Sequence, residues 1–317
     1  MERRNKVMGK IAVLFSGQGA QYVGMGKDLY DSDSDAKKLY DLGESLRPGT
    51  VKVCFEGEGE ELTKTENTQP ALFLTDLAFA NALKDAGIKT DAVAGFSLGE
   101  IPALAYAGVL STEDAFKLVV IRGTKMGELA TKYAGGMAAA LKLAPEVVEE
   151  TCKEFKEIWP VNYNCPGQIV ITGKAEAVQK ANEALLSSGA KRAILLNVSG
   201  PFHSPFLKEA GEKLGKVLEG ISFKELEIPY VTNVTAQYVT DIEDTKPLLE
   251  KQVYSSVRWQ QSVEQMIADG VDTFVEIGPG KTLAGFIRKI NKEVKVFHVS
   301  EWEDVEKIGE NICYRGK

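Results

Sequence analysis

Ser97 sits inside "GFSLGE" (95–100), with Gly95 and Gly99 two positions to either side. The G-x-S-x-G pattern can form a sharp strand-to-helix elbow that exposes a serine hydroxyl at its tip. Glycines let backbone crowd such a turn without a clash at Cβ. The chemistry on offer is nucleophilic: a serine activated by a base attacks a carbonyl and forms a covalent intermediate. A strand–turn–helix connection that happens to contain serine is the alternative for a bare five-residue match, so the partners must decide.

The usual base for serine is histidine, and the chain has only two. His298 lies in "VKVFHVS", alternating with apolar residues, which suits a strand residue facing solvent or a hydrogen-bond partner. His203 lies in "SGPFHSPFLKEAGEKL", where Ser204 can cap the following helix and Pro205 suits its first position. That leaves His203 on a tight, proline-flanked loop at a domain junction, where clefts form. Read alone, His203 leans toward a loop histidine used for packing.

Arg122, in "DAFKLVVIRGTKMGELA", shares a helical face with Leu118, Val119, Met126 and Leu129. An arginine on an apolar stripe needs an anionic partner to offset desolvation. A salt bridge to one of the 45 acidic residues, or a side chain that snorkels to water, would satisfy it. A substrate carboxylate held by a bidentate pair would too.

Other motifs carry less. "FSGQGAQ" (15–21) places backbone N–H groups at a strand end, where they could face an anion or a developing oxyanion. Tyr22 stands at its third glycine position, so it is a poor dinucleotide fingerprint. "EIGPGKTL" (276–283) imitates the end of a phosphate-binding loop, but Val275 stands where the first glycine belongs. No cysteine/histidine cluster suggests a metal.

The elements that must position these residues alternate. "KIAVLF" (10–15), "DAVAGFS" (91–97), "PYVTNV" (229–234), "TFVEIG" (273–278) and "KVFHVS" (295–300) read as strands. A helix is expected over 68–87, capped by Thr68, with Pro70 in its first turn, a stripe of Phe73, Leu77, Ala80 and Leu83, and Gly87 as its stop. Strands alternating with helices argue for a mostly parallel sheet covered on both faces. From Gly136 to Ser199 the order changes to β-α-β-β-α-β, the ferredoxin-like unit, with "NCPGQ" turning between its middle strands.

Composition sets the frame. At 317 residues, 44% hydrophobic and 26% charged, the chain suits a soluble globular protein with one large domain or two unequal ones. A net charge of −7 disfavours nonspecific nucleic-acid binding. Cys54, Cys152, Cys165 and Cys313 show no C-x-x-C spacing and read as reduced thiols. No apolar run approaches the roughly 20 residues needed to span a bilayer, and a cytoplasmic location without membrane contact is expected.

"FSGQGAQ", "GFSLGE", "IRG" (121–123), "NYNCPGQIVITG", "GPFHSPF", "KQVYSSVRW" and "EIGPGKTL" together resemble, in order and over roughly residues 9–300, the malonyl-CoA:acyl carrier protein transacylase family. The resemblance implies an α/β-hydrolase-like core (9–130 and 200–305) with a mostly parallel sheet, and an inserted ferredoxin-like βαββαβ subdomain (131–199). It implies malonyl transfer from malonyl-CoA to the phosphopantetheine thiol of a holo acyl carrier protein, with Ser97 as nucleophile and His203 as base. It further implies that a main-chain carbonyl near Gln252 orients the imidazole and that Gln18 and Leu98 N–H groups form the oxyanion hole. Arg122 would grip the malonyl carboxylate, and Phe202 would exclude branched malonyl groups. No cofactor or metal is implied. Relatives usually carry histidine before the nucleophile, whereas Phe96 stands here.

The carrier protein is expected to be acidic, so it would need a local basic patch; Lys281, Arg288, Lys289 and Lys292 are the candidates, or else an ordinary solvated helix end. Two other readings compete. A G-x-S-x-G thioesterase or hydrolase would use the last histidine, His298, with Asp272 as its acid. A noncatalytic scaffold would keep the fold and form no acyl adduct.

Overall fold

The computed structural model describes residues 9–198 and 200–313. Among the described residues nine strands form two sheets. The larger contains β1 (Lys10–Phe15), β2 (Ala92–Gly95), β7 (Tyr230–Val231), β8 (Val271–Ile277) and β9 (Lys295–Val299), ordered β7-β2-β1-β8-β9. Every neighbouring pair in it is parallel. A parallel sheet is covered by helices on both faces, so its central strands read as unbroken apolar runs. In β1, Ile11 to Phe15 are all buried, and so is the whole of β2. The edge strand β9 is only partly buried.

The smaller sheet contains β3 (Gly135–Leu141), β4 (Ile158–Cys165), β5 (Gln168–Lys174) and β6 (Arg192–Leu195), ordered β4-β5-β3-β6 and antiparallel throughout. Helices Pro145–Lys153 and Ala175–Ser187 complete the expected β-α-β-β-α-β order. Their buried faces, with Val148, Val178 and Leu185, pack on Ile158, Ile169 and Ile171 in a core of their own. Val257, just before the helix Trp259–Ala268, exchanges backbone hydrogen bonds with β4, to Tyr163 N–H at 2.9 Å and Val161 C=O at 2.7 Å.

The helix expected from 68 begins earlier, at Thr65, and runs to Asp85. The Lys64 carbonyl accepts the first bonds, from Asn67 and Thr68 N–H. Thr68 therefore lies inside the helix and caps nothing; its hydroxyl donates to the Leu62 carbonyl at 2.5 Å. Pro70 is the sixth helical residue, not a first-turn residue, so only the bond to the Glu66 carbonyl is missing. The stripe was also too narrow: 17 of the 21 residues are buried. A helix that is buried all round lies in the core, beneath the parallel sheet, and its lack of a polar face follows. Gly87, at φ 82°, ends it as expected.

The carboxyl ends of β1 and β2 lie side by side, Phe15 paired with Gly95. Parallel sheets bind ligands outside the carboxyl ends of their strands. Both "FSGQGAQ" and the serine elbow therefore open onto one edge of the molecule.

Candidate active site

The elbow needs both of its glycines. A Cβ on Gly95 would lie 1.9 Å from the Gly99 carbonyl carbon, and one on Gly99 would lie 2.4 Å from the Phe15 carbonyl oxygen. Strand, turn and helix touch there, backbone on backbone. Ser97 follows at φ 55°, left-handed backbone that costs a non-glycine residue about 1–3 kcal/mol and persists only where the surroundings over-determine it.

Three bonds meet at the serine hydroxyl and its neighbours. Ser97 Oγ lies 2.7 Å from His203 Nε2. The other ring nitrogen, Nδ1, faces two carbonyl oxygens, Gln252 at 2.9 Å and Ser255 at 3.2 Å. Carbonyls only accept, so Nδ1 carries the proton and Nε2 is left free to take one from serine. Burial, and after it the nearby Arg122 cation, push the His203 pKa down to about 4, which keeps the imidazole neutral, with Nε2 unprotonated, at physiological pH.

His203 itself is buried and sits at φ 61°. Pro205 opens the following 3₁₀ turn as expected, but Ser204 does not cap it. Its hydroxyl donates instead to the Pro201 carbonyl at 2.6 Å, bracing the loop that carries the histidine.

Arg122 is 2% exposed, on the helix Thr112–Tyr133 with Leu118, Val119, Met126 and Leu129 buried beside it. Its guanidinium donates to Gln69 Oε1 at 2.9 Å, Gln252 Oε1 at 2.9 Å and Ser97 Oγ at 3.0 Å. All three acceptors are neutral. Among the described residues no carboxylate forms a contact ion pair with it, although Glu100 acts on it from further off, so neither a surface ion pair nor snorkelling accounts for the side chain. Burial lowers its pKa to about 10, which still leaves it fully charged at neutral pH. A buried cation held by amides is a ready site for an incoming carboxylate.

Gln18, Ser97, Arg122, Phe202 and His203 all line one cleft of about 110 Å³. Met137, Asn162 and Leu196 close it from the side of the small sheet. Leu98 is buried directly after the nucleophile. Phe96 adds an apolar wall, its ring edge-on to Trp259 at 5.5 Å and tilted against Phe286 at 6.4 Å.

Sequence reasoning missed three participants. Gln69 comes from the buried helix, Asn233 from just beyond β7, and the Gln252 side chain joins Arg122 to the Ser97 carbonyl, to which its Nε2 donates at 2.5 Å. Asn233 Oδ1 accepts from Ser97 N–H at 2.8 Å.

The other candidates fall elsewhere. His298 pairs with Glu276 in the β8–β9 register and does not line the cleft. Asp272 accepts from the Thr273 hydroxyl at 2.7 Å. "EIGPGKTL" cannot receive a phosphate as a P-loop does, because its helix N-terminus is already occupied. Glu276 accepts from Leu283 N–H at 3.0 Å and Ala284 N–H at 2.7 Å, and burial raises its pKa to about 7. Cys54, Cys152 and Cys165 are free and buried, while the Cys313 side chain lies outside the described residues. Among the described residues no group of three or more His, Cys, Asp or Glu could hold a metal ion, and no helix is long and apolar enough to cross a membrane.

Residues 13–310 match the acyl transferase domain family. Over 304 residues the chain is 45% identical to the malonyl CoA-acyl carrier protein transacylase of Bacillus subtilis, covering 94% of this chain and 96% of that protein. The chain belongs to the malonyl CoA-acyl carrier protein transacylase family. Among solved transacylase structures, that from Clostridium perfringens is 40% identical and superimposes with a TM-score of 0.92, covering 97% of this chain and 98% of that one. A malonyl-transacylase in complex with its type II PKS acyl-carrier protein is 36% identical, with a TM-score of 0.92 over 95% of this chain and 99% of that one. The transacylase fold of these relatives is the mixed α/β arrangement described above, one parallel and one antiparallel sheet.

Proposed function

We propose that this acyltransferase moves the malonyl group from malonyl-CoA to the phosphopantetheine thiol of a holo acyl carrier protein through a malonyl ester on Ser97. One observation carries the reading: a single oxygen, Ser97 Oγ, lies 2.7 Å from a neutral histidine nitrogen and 3.0 Å from a buried cation that has no carboxylate partner among the described residues. Nucleophile, base and carboxylate receptor converge on one atom, which suits an acyl group that carries its own negative charge.

In the first step His203 Nε2 takes the Ser97 proton while Oγ attacks the thioester carbon. The carbonyl oxygen becomes an oxyanion facing the Gln18 and Leu98 N–H groups. The C–S bond then breaks, and the coenzyme A sulfur leaves with the proton from His203. In the second step the carrier thiol gives its proton to His203 and attacks the Ser97 ester. The C–O bond breaks and the proton returns to Oγ. The Gln252 and Ser255 carbonyls hold the imidazole and stabilise its charged form in both steps, as a carboxylate would in a triad.

Arg122 grips the malonyl carboxylate through two charge-assisted bonds, and Phe202 in the cleft wall limits the room at the malonyl methylene. No cofactor or metal enters these steps. The segment 131–199 acts as a small subdomain that forms one wall of the cleft. The carrier docks on the exposed Lys281, Arg288, Lys289 and Lys292, borne on and around the helix whose Phe286 backs the Phe96 wall. The protein works in the cytoplasm.

The hydrolase reading requires His298 to serve Ser97, and it is the His203 imidazole that lies 2.7 Å from Ser97 Oγ. The test is malonyl transfer from malonyl-CoA to holo carrier protein, with apo carrier as control. Transfer to the holo form alone supports the proposal; release of free malonate with neither carrier labelled overturns it.

A further inference from the structure

Ser97 must hold a left-handed backbone, yet the strand beside its elbow is minimal. Only Tyr230 and Val231 of β7 pair with β2, opposite Val93 and Ala94. Two residues later comes Asn233, fully buried. Each of its polar groups has a partner. The side-chain Oδ1 accepts from Ser97 N–H at 2.8 Å, and Nδ2 donates to the Gly95 carbonyl at 2.7 Å. Its own N–H donates to Glu100 Oε1 at 2.9 Å, and its carbonyl accepts from Arg258 N–H at 3.0 Å. Glu100, also fully buried, additionally accepts from the Tyr230 hydroxyl.

We propose that Asn233 is a positioning residue for the nucleophile: one primary amide spans the elbow from the Gly95 carbonyl to the Ser97 N–H and holds the serine in its reactive left-handed conformation. This rests on the reading of Ser97 as the acylated residue. The amide ties together the two peptide groups that flank Phe96, so the backbone entering Ser97 cannot rotate without breaking a bond at one end or the other. It also takes the Ser97 N–H, leaving the next N–H along, that of Leu98, as the elbow's donor to a developing oxyanion. Glu100 fixes Asn233 in turn from the first turn of the helix that leaves the elbow. Strand end, nucleophile and helix start form one hydrogen-bonded loop. A carboxamide donates and accepts at a fixed spacing whatever the pH, whereas a carboxyl of the same size donates only while protonated.

The test is single-turnover acylation of the full-length protein by malonyl-CoA, followed by intact mass, with the reactive fraction counted from the burst amplitude. Asn233→Ala is expected to slow acylation per active site about 10²-fold, the usual consequence of a misplaced reacting atom, with the KM for malonyl-CoA close to that of the parent. Asn233→Asp keeps the acceptor opposite Ser97 N–H and, when ionised, loses the donor opposite the Gly95 carbonyl. It preserves size where alanine does not, and is expected to slow acylation about tenfold or more at pH values where its carboxylate is ionised. Folded variants that acylate at the parental rate per site overturn the proposal. So does a loss confined to the reactive fraction, which is the mark of a purely structural role. A parent protein that takes no malonyl on Ser97 overturns the functional reading first, and this assignment with it.

Discussion

Arg122 donates a 3.0 Å hydrogen bond to Ser97 Oγ, the same oxygen that His203 Nε2 approaches to 2.7 Å. The cation that would hold the substrate's carboxylate rests on the nucleophile. Its other partners, Gln69 and Gln252, are neutral amides that orient the fork without neutralising it. Charge on the acyl group and reactivity of the serine are therefore linked through one guanidinium.

The first consequence concerns specificity. Truncating one member of a buried charge pair costs about 2–5 kcal/mol, or one to three or more orders of magnitude. Arg122→Ala should lower kcat/KM for malonyl-CoA by that much and affect acetyl-CoA far less, since acetyl has no carboxylate. Lysine keeps the charge but loses the planar fork, so Arg122→Lys should rescue only partly. Steady-state kinetics on both thioesters, with folding checked by melting, separates these cases. Equal losses on the two substrates would make Arg122 structural.

The second concerns pH. Base catalysis needs neutral His203, whose pKa is held near 4 by burial and by Arg122. The acid limb of kcat/KM, which reports the free enzyme, should therefore lie well below 6.5. A bound malonyl carboxylate offsets the Arg122 charge, so the acid limb of kcat should lie at higher pH. Stability follows the same group. Below pH 6.5 the unfolded chain binds a proton that folded His203 refuses until about pH 4, so this contribution is lost as pH falls through that window. Matching limbs for kcat and kcat/KM would deny the coupling.

Gln252 allows a finer separation, because its carbonyl serves His203 while its side chain serves Arg122 and Ser97. Gln252→Ala retains the carbonyl and removes the amide. Hydrogen bonds to charged groups contribute about 1.5–3 kcal/mol, so kcat/KM for malonyl-CoA should fall roughly 10- to 150-fold. The acid limb of kcat/KM should stay on the low side of 6.5, and a limb that moved toward 6.5 would mean that the variant had relieved the burial of the imidazole or its repulsion by Arg122.

Glu276 gives a prediction away from the chemistry. Its folded pKa is raised from 4.5 to about 7, chiefly by burial. Between those values folded protein binds more protons at this site than unfolded chain, so its contribution to stability declines as pH rises from about 4.5 to 7. Glu276→Gln should flatten that part of the profile, measured as Tm against pH relative to the parent. An unchanged slope would mean another group is responsible.

The sequence made some of this site legible and hid the rest for physical reasons. Ser97 and its glycines were readable because backbone crowding at an elbow leaves a local trace. Arg122 was readable because a charge on an apolar helical stripe contradicts its surroundings. His203 needed the small number of histidines and a family resemblance, since a loop residue carries no periodic signal. Gln69 and Asn233 left no such mark. They act across 53 and 136 residues of chain, and an amide that is buried and satisfied looks, in sequence, like any other polar residue. The misplaced start of the Thr65–Asp85 helix has a local cause, since Thr68 followed by Pro70 imitates a cap two residues before a first-turn proline.

The central claim is that Ser97 carries the malonyl group. Incubating the protein with malonyl-CoA, digesting it and mapping the adduct by mass spectrometry tests this directly. Malonyl is expected on the peptide containing Ser97, lost on addition of holo carrier protein and absent from a folded Ser97→Ala variant. Malonyl on Ser16 or on a cysteine, or no adduct at all in a protein that still transfers, would contradict it.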